Sequence, residues 1–175
     1  MAGLVHIYTG SGKGKTTAAV GLSIRAYGRG FKVLMIQFLK GTTTGEMSTV
    51  DKLGSSFIIY REEKFKNFSW DMSEAELKEQ KTIQQELFDY AVNAAMSNKW
   101  DLIIFDEIFA VLTLGLIPIN NVIDFINSKP DKLEIVLTGR NAPAEIIEIA
   151  DYVSEINPIK HPINMGISAR EGIEF

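Results

Sequence analysis

The chain has 175 residues, a net charge of −4 and 46% hydrophobic residues, the size and balance of one globular domain with a full core. It contains no cysteine, which excludes a disulfide framework, a thiolate metal site and a thiol nucleophile, and fits a reducing compartment. The mildly acidic balance argues against nucleic acid or an anionic membrane as partner, and neither a signal-peptide pattern nor a membrane-length apolar run is visible, so the expected location is the cytoplasm.

In chain order, residues 4–8 read as an apolar strand, and residues 15–27 as a helix with Ala18, Ala19, Leu22 and Ala26 on one face. Gly28 and Gly30 end that helix. Lys13, Lys15, Arg25, Arg29 and Lys32 lie close in sequence; the first two read as phosphate ligands and the others as a solvated face. Residues 33–39 are nearly all apolar, as a strand buried on both faces requires, and 57–60 form a weaker strand.

Ser73-Glu74-Ala75-Glu76 has the form of a capping box, opening a long helix that turns Ile83, Leu87, Ala91, Ala94 and Ala95 inward. A buried strand follows at 101–105, a helix after Pro118, and a strand at 133–137. A short helix opened by Asn141 and Pro143 precedes a last strand at 152–156. Strands alternating with helices imply parallel pairing through right-handed crossovers. The expected fold is α/β, a three-layer domain over residues 1–175 with a mainly parallel sheet of about six strands. Segments 40–48 and 61–72 read as long loops, the kind that carries function.

The first strand runs into Thr9-Gly10-Ser11-Gly12-Lys13-Gly14-Lys15-Thr16-Thr17. Glycines between a strand and a helix leave backbone N–H groups free to grip phosphate oxygens, and the helix N-terminus adds its positive dipole. Lys15 supplies a compact charge and the Thr16 hydroxyl is placed for Mg²⁺, with Mn²⁺ as its substitute. This is a P-loop for ATP or a similar nucleotide, within a fold of the RecA-like kind. It is a variant: Thr9 stands where the strict pattern has its first glycine, and Gly10 comes one place later. A glycine-rich turn without a ligand is the bland alternative; the strand before, the helix after and Lys-Thr in register weigh against it.

The strand at 101–105 ends in Asp106-Glu107, and parallel sheets bind ligands at the carboxyl ends of their strands. One of these acids can hold Mg²⁺, and in a hydrolase the other would orient water. Exposed loop acids are the alternative. Thr138-Gly139-Arg140 falls at the same sheet edge; Arg140 can pair with a phosphate or an acid, or the tripeptide can be a helix-capping turn. Kinases, ATPases and motor domains share such parts, so these residues alone leave an ATP-hydrolysing enzyme or a regulatory nucleotide-binding module open.

Several segments together resemble the P-loop class of ATP:corrinoid adenosyltransferases. They are 8–19 (YTGSGKGKTTAA), 33–41 (VLMIQFLKG) with Gly45-Glu46, Phe68-Ser69-Trp70-Asp71, Phe105-Asp106-Glu107, Thr138-Gly139-Arg140, and the tail from Val153-Ser154-Glu155 through Lys160-His161 to Gly166. They occur in the family's order and span nearly the whole chain. The resemblance implies that a corrinoid reduced to Co(I), cobalamin or cobinamide, attacks the 5′ carbon of ATP and that triphosphate leaves. It further implies ATP lying reversed in the loop, a homodimer, and an electron-donating protein. Lys15 and Thr16 would stabilise the leaving group, while Phe68 and Trp70 would wall the corrinoid and keep cobalt four-coordinate, easing its reduction. Read without the resemblance, those two aromatics are a small satellite core.

Cobalt is itself the nucleophile in such a reaction, which suits a sequence with only His6 and His161 and no Ser-His or Cys-His pair. His6 falls in the first strand and reads as structural; His161 lies in the tail motif without an assigned role. Family members often carry an N-terminal helix over the corrinoid. This sequence begins almost at its first strand, so that lid is expected to be absent.

Overall fold

A computed structural model describes residues 2–41, 43–62 and 72–174. Six strands, β1 (Val5–Thr9), β2 (Val33–Gln37), β3 (Phe57–Tyr60), β4 (Leu102–Asp106), β5 (Glu134–Thr138) and β6 (Tyr152–Glu155), form one sheet in the order β3-β2-β4-β5-β1-β6. Every pairing among them is parallel. The α/β class and six strands expected from the sequence are those observed.

The helices follow from the strand order. From β1 through β2 to β3 the chain moves toward one edge of the sheet, and from β3 through β4 and β5 to β6 it moves back. Right-handed crossovers therefore put the first connections on one face and the later ones on the other. Helix α1 (Lys15–Tyr27) and the short α2 (Gly45–Val50) cover the first face, where Ala19 and Val50 pack on Val33, Met35, Leu102, Ile104 and Val136. Helices α3 (Glu74–Met96), α4 (Ile108–Thr113), α5 (Ile119–Ser128) and α6 (Ala144–Glu148) bring Leu87, Phe88, Phe109, Phe125 and Ile146 onto the opposite face, against Leu34, Ile36, Ile103, Phe105, Ile135 and Leu137. Alternate residues of each strand serve alternate faces, as a pleated strand requires. Helix α3 opens with the reciprocal capping box of Ser73 and Glu76.

Three local expectations change. Residues 40–48 contain the start of α2 rather than loop alone; the helix has six residues and buries only Val50, too weak a pattern to read. Helix α4 has the sequence IFAVLT, apolar except for Thr113, and its periodicity is hidden because this run follows the apolar residues of the buried strand before it with only Asp106 and Glu107 between. Ala18 faces outward; the buried positions of α1 are Lys15, Ala19 and Ser23. The aromatic segment with Phe68 and Trp70 lies outside the described residues.

Candidate functional site

Strands β1, β4 and β5 each extend one residue further than the apolar pattern indicates, and the added residues are Thr9, Asp106 and Thr138. All three sit at the carboxyl edge of a parallel sheet, where α/β folds place their ligands. β5 lies between β4 and β1, so Thr138 stands between the Asp106 strand and the phosphate-loop strand.

The loop is set by its contact with the end of β6. Gly12 N–H donates to the Ile156 carbonyl at 2.7 Å, and Ile156 N–H donates to the Thr9 carbonyl at 2.8 Å. Gly10 has φ 98°, and a Cβ there would lie 2.5 Å from the Ile156 oxygen. Conformation and space both demand glycine. Thr9 accepts the Ala142 N–H at 3.2 Å, tying the loop's first residue to the turn after β5.

Lys15 is 7% exposed, and its Nζ donates to the Gly10 and Gly12 carbonyls at 2.8 and 2.7 Å. Burial lowers its pKa; Glu107 opposes the shift, Arg140 adds to it and Asp106 opposes it. Ser11, Gly12, Lys13, Gly14, Lys15, Thr16 and Thr17 line a cavity of about 320 Å³ that Glu107, Arg140 and His161 share. Residues 11–17 of the loop thus line one space, which Arg140 shares from just beyond the carboxyl end of β5, whereas Thr9 and Gly10, also expected to hold phosphate, do not line it. Arg140 makes no ion pair with either acid among the described residues.

Asp106 is fully buried. Its Oδ1 accepts from the hydroxyls of Thr16 (2.8 Å) and Thr138 (2.7 Å), and its Oδ2 accepts from Lys40 Nζ at 2.7 Å. Thr138 Oγ1 in turn accepts the Glu107 N–H at 2.9 Å. Gly139, at φ 143°, would place a Cβ 2.8 Å from Phe109 Cβ, so only glycine lets β5 pass this close to α4. Glu107 takes the left-handed conformation, φ 66°, at the head of α4. Its pKa is raised, first by burial and then by Asp106, against the pull of Lys40, Lys15 and Arg140. Glu46 Oε1 accepts from Gln37 Nε2 at 3.1 Å and lies 4.0 Å from Lys40 Nζ. Burial would raise the Glu46 pKa, but the hydrogen bonds it accepts and the charge of Lys40 lower it overall.

Thr138, Lys40 and Glu46 were not singled out by chemistry in the sequence. All three lay within recognisable segments, but nothing in the one-dimensional pattern brings Thr138 and Lys40 to Asp106, or Glu46 to Lys40. His161 Nδ1 accepts from Ile163 N–H at 3.2 Å, capping the 3₁₀ turn Pro162–Met165. His6 Nε2 pairs with Glu134 at 2.5 Å and the ring stacks on Tyr152, in line with its structural reading.

The oxygen donors suit a small hard cation. Among the described residues no three His, Asp or Glu side chains gather as a self-sufficient metal cage. A nucleotide-bound Mg²⁺ needs none, because it takes one or two carboxylates, keeps water and uses phosphate oxygens. Thr16 and the buried Asp106 carboxylate, beside Glu107, form such a partial set.

A parallel sheet ending in a glycine loop, Lys-Thr and a buried aspartate defines a P-loop nucleotide-binding protein. The sequence also matches the family described as ATP:corrinoid adenosyltransferase BtuR/CobO/CobP over residues 1–175, and the chain belongs to that family. It is 33% identical to the corrinoid adenosyltransferase of Escherichia coli, across 99% of this chain and 86% of that one. Identity to the corrinoid adenosyltransferase CobA of Salmonella typhimurium is 30%, with the same coverage. Identity to the corrinoid adenosyltransferase of Pseudomonas aeruginosa is 32%, across 99% and 84%.

Proposed function

We propose that the chain transfers the 5′-deoxyadenosyl group of ATP to the Co(I) of a reduced corrinoid, in the synthesis or salvage of adenosylcobalamin. Family membership over the full sequence carries this reading, and the phosphate loop facing Asp106 agrees with it. The cobalt electron pair forms a bond to C5′. The C5′–O bond breaks, and its pair leaves with triphosphate.

The protein's tasks are then positioning and charge stabilisation. Lys15 turns from the loop carbonyls of Gly10 and Gly12 to the phosphates, and the remaining loop N–H groups with Lys13, Thr17 and Arg140 hold the chain of charges. Thr16, Asp106 and Glu107 would hold Mg²⁺, or Mn²⁺ in its place, and the chemistry such an ion would supply is withdrawal of charge from the phosphate oxygens. Phe68 and Trp70 wall the corrinoid, an assignment that rests on the family. The chain works as a single domain, as a homodimer in the cytoplasm, supplied with electrons by a reductant protein. Among the described residues no helix is long and apolar enough to cross a membrane.

The test is a product assay with ATP, Mg²⁺ and a chemically reduced corrinoid. Adenosylcorrinoid and triphosphate in equal amounts are expected. ADP and phosphate without a cobalt–carbon product would overturn the reading in favour of an ATPase.

A further inference from the structure

Both carboxylate oxygens of Asp106 are engaged. Oδ1 takes two hydroxyl donors from residues 16 and 138, and Oδ2 takes the Lys40 ammonium. Oδ2, with a single donor, is the oxygen more open to a divalent cation, and a cation drawn there is repelled by the Lys40 ammonium 2.7 Å from it. Thr138 is fully buried and also holds the Glu107 N–H, so it is fixed. Lys40 differs: its side chain is 22% exposed, it stands on a flexible stem just beyond β2, and a second carboxylate is within reach. That carboxylate is Glu46, 4.0 Å from Lys40 Nζ. The Gln37 amide nitrogen holds Glu46, while the oxygen of that same buried amide accepts no hydrogen bond among the described residues. Lys40, Glu46, Thr16 and Glu107 line one cavity of about 510 Å³.

We propose that Lys40 is a positioning residue that exchanges carboxylates: its ammonium neutralises Asp106 Oδ2 until a divalent cation takes that oxygen, and it then moves to Glu46. The exchange rests on the reading of Asp106 as a metal carboxylate. Physically it keeps the buried carboxylate from standing uncompensated, a state that is costly in a low-dielectric interior. Glu46 is the second seat, and the unused Gln37 oxygen is an acceptor at that seat. After the exchange the lysine charge stays on the wall of the cavity.

The experiment is Mn²⁺ titration of the full chain by electron paramagnetic resonance, without nucleotide or corrinoid. Lys40→Met is expected to bind Mn²⁺ about tenfold more tightly, since the ion no longer competes with an ammonium for Oδ2. Lys40→Arg returns the affinity toward that of the unmodified chain. Glu46→Gln weakens Mn²⁺ binding at least about fivefold while Lys40 is present, because the displaced ammonium loses its seat, but by less than about twofold beside Lys40→Met. If Lys40 acted only through its distant field, the two substitutions would be additive, and additivity overturns the exchange. Equal Mn²⁺ affinity with and without Lys40 also overturns it but leaves the metal site standing. Failure of every variant to bind Mn²⁺, both alone and with inorganic triphosphate supplying the phosphate oxygens, overturns both, while the product assay still decides the adenosyl transfer separately. Should Lys40→Met not fold by circular dichroism, Lys40→Gln removes the charge and keeps a donor to Asp106, and the same outcomes apply.

Discussion

Two walls enclose the phosphate-loop cavity, and they are built by different physics. The inner wall is Lys15, backed by Asp106 and Thr138, which do not line the cavity themselves; all three are buried and make hydrogen bonds of 2.7–2.8 Å. The outer wall is the tail after β6, where nearly every residue from 157 to 174 is exposed. Its polar anchors are the Arg170–Glu174 pair at 3.1 Å and the looser Lys13–Glu174 pair at 3.8 Å. Arg170 holds the Glu174 carboxyl down to about 2, yet the pair stands in water. Exposed ion pairs contribute little, whereas a buried group left without its partner costs its full desolvation. The same kind of contact therefore has different consequences on the two walls.

The largest effect is expected on the inner wall. Lys15→Ala should lower ATP affinity by at least about 100-fold in calorimetric titration, because a charge-assisted contact to phosphate is lost. Unchanged affinity would remove Lys15 from the phosphate site.

Thr138→Val comes next, because it keeps the shape and deletes one hydroxyl with two duties. Asp106 Oδ1 loses a donor and the Glu107 N–H loses its acceptor. A loss of about 1–3 kcal/mol in urea unfolding is expected, with Thr138→Ser recovering most of it. A neutral Thr138→Val would mean that the inner wall is as loosely held as the tail.

A smaller effect concerns Glu107, whose folded pKa is raised above that of the unfolded chain. The folded state then holds the proton more strongly. Its favourable contribution is fully present below the unfolded value and is lost as pH rises through the raised folded value. Glu107→Gln should therefore raise the thermal midpoint more at pH 8 than at pH 4. A midpoint difference that shrinks as pH rises would reverse the assigned shift. The smallest effect on stability is on the tail: Glu174→Gln should leave the thermal midpoint unchanged within error.

The sheet was legible because β2, β4 and β5 are short apolar runs between turn signals, and the capping box at Ser73 marks the start of α3 to the residue. The exact carboxyl ends were not. Hydropathy stops at Tyr8, Phe105 and Leu137, whereas strand geometry continues through the polar residues that follow, where the loop and Asp106 are pinned. The loop itself was readable because strand, glycines and Lys-Thr appear together within a few residues. The clamp on Asp106 was not, since Thr16, Lys40 and Thr138 come from three distant segments that only the strand order brings together. The departure at Thr9 has a local physical account: its hydroxyl is engaged by Ala142, so it serves the strand end and the turn beyond it. Phe68 and Trp70 were singled out by family resemblance and not by periodicity, and they lie outside the described residues.

The bond from Gly12 N–H to the Ile156 carbonyl has a consequence for amide exchange. That N–H is already spoken for, so it is a donor withheld from phosphate, and the cradle is counted from Lys13 onward. In deuterated buffer the Gly12 amide should exchange slowly whether or not ATP is present, at a rate that reports opening of the β6 edge. Its neighbours at 13–16 should slow only when nucleotide arrives, so adjacent amides of one loop would record two different events.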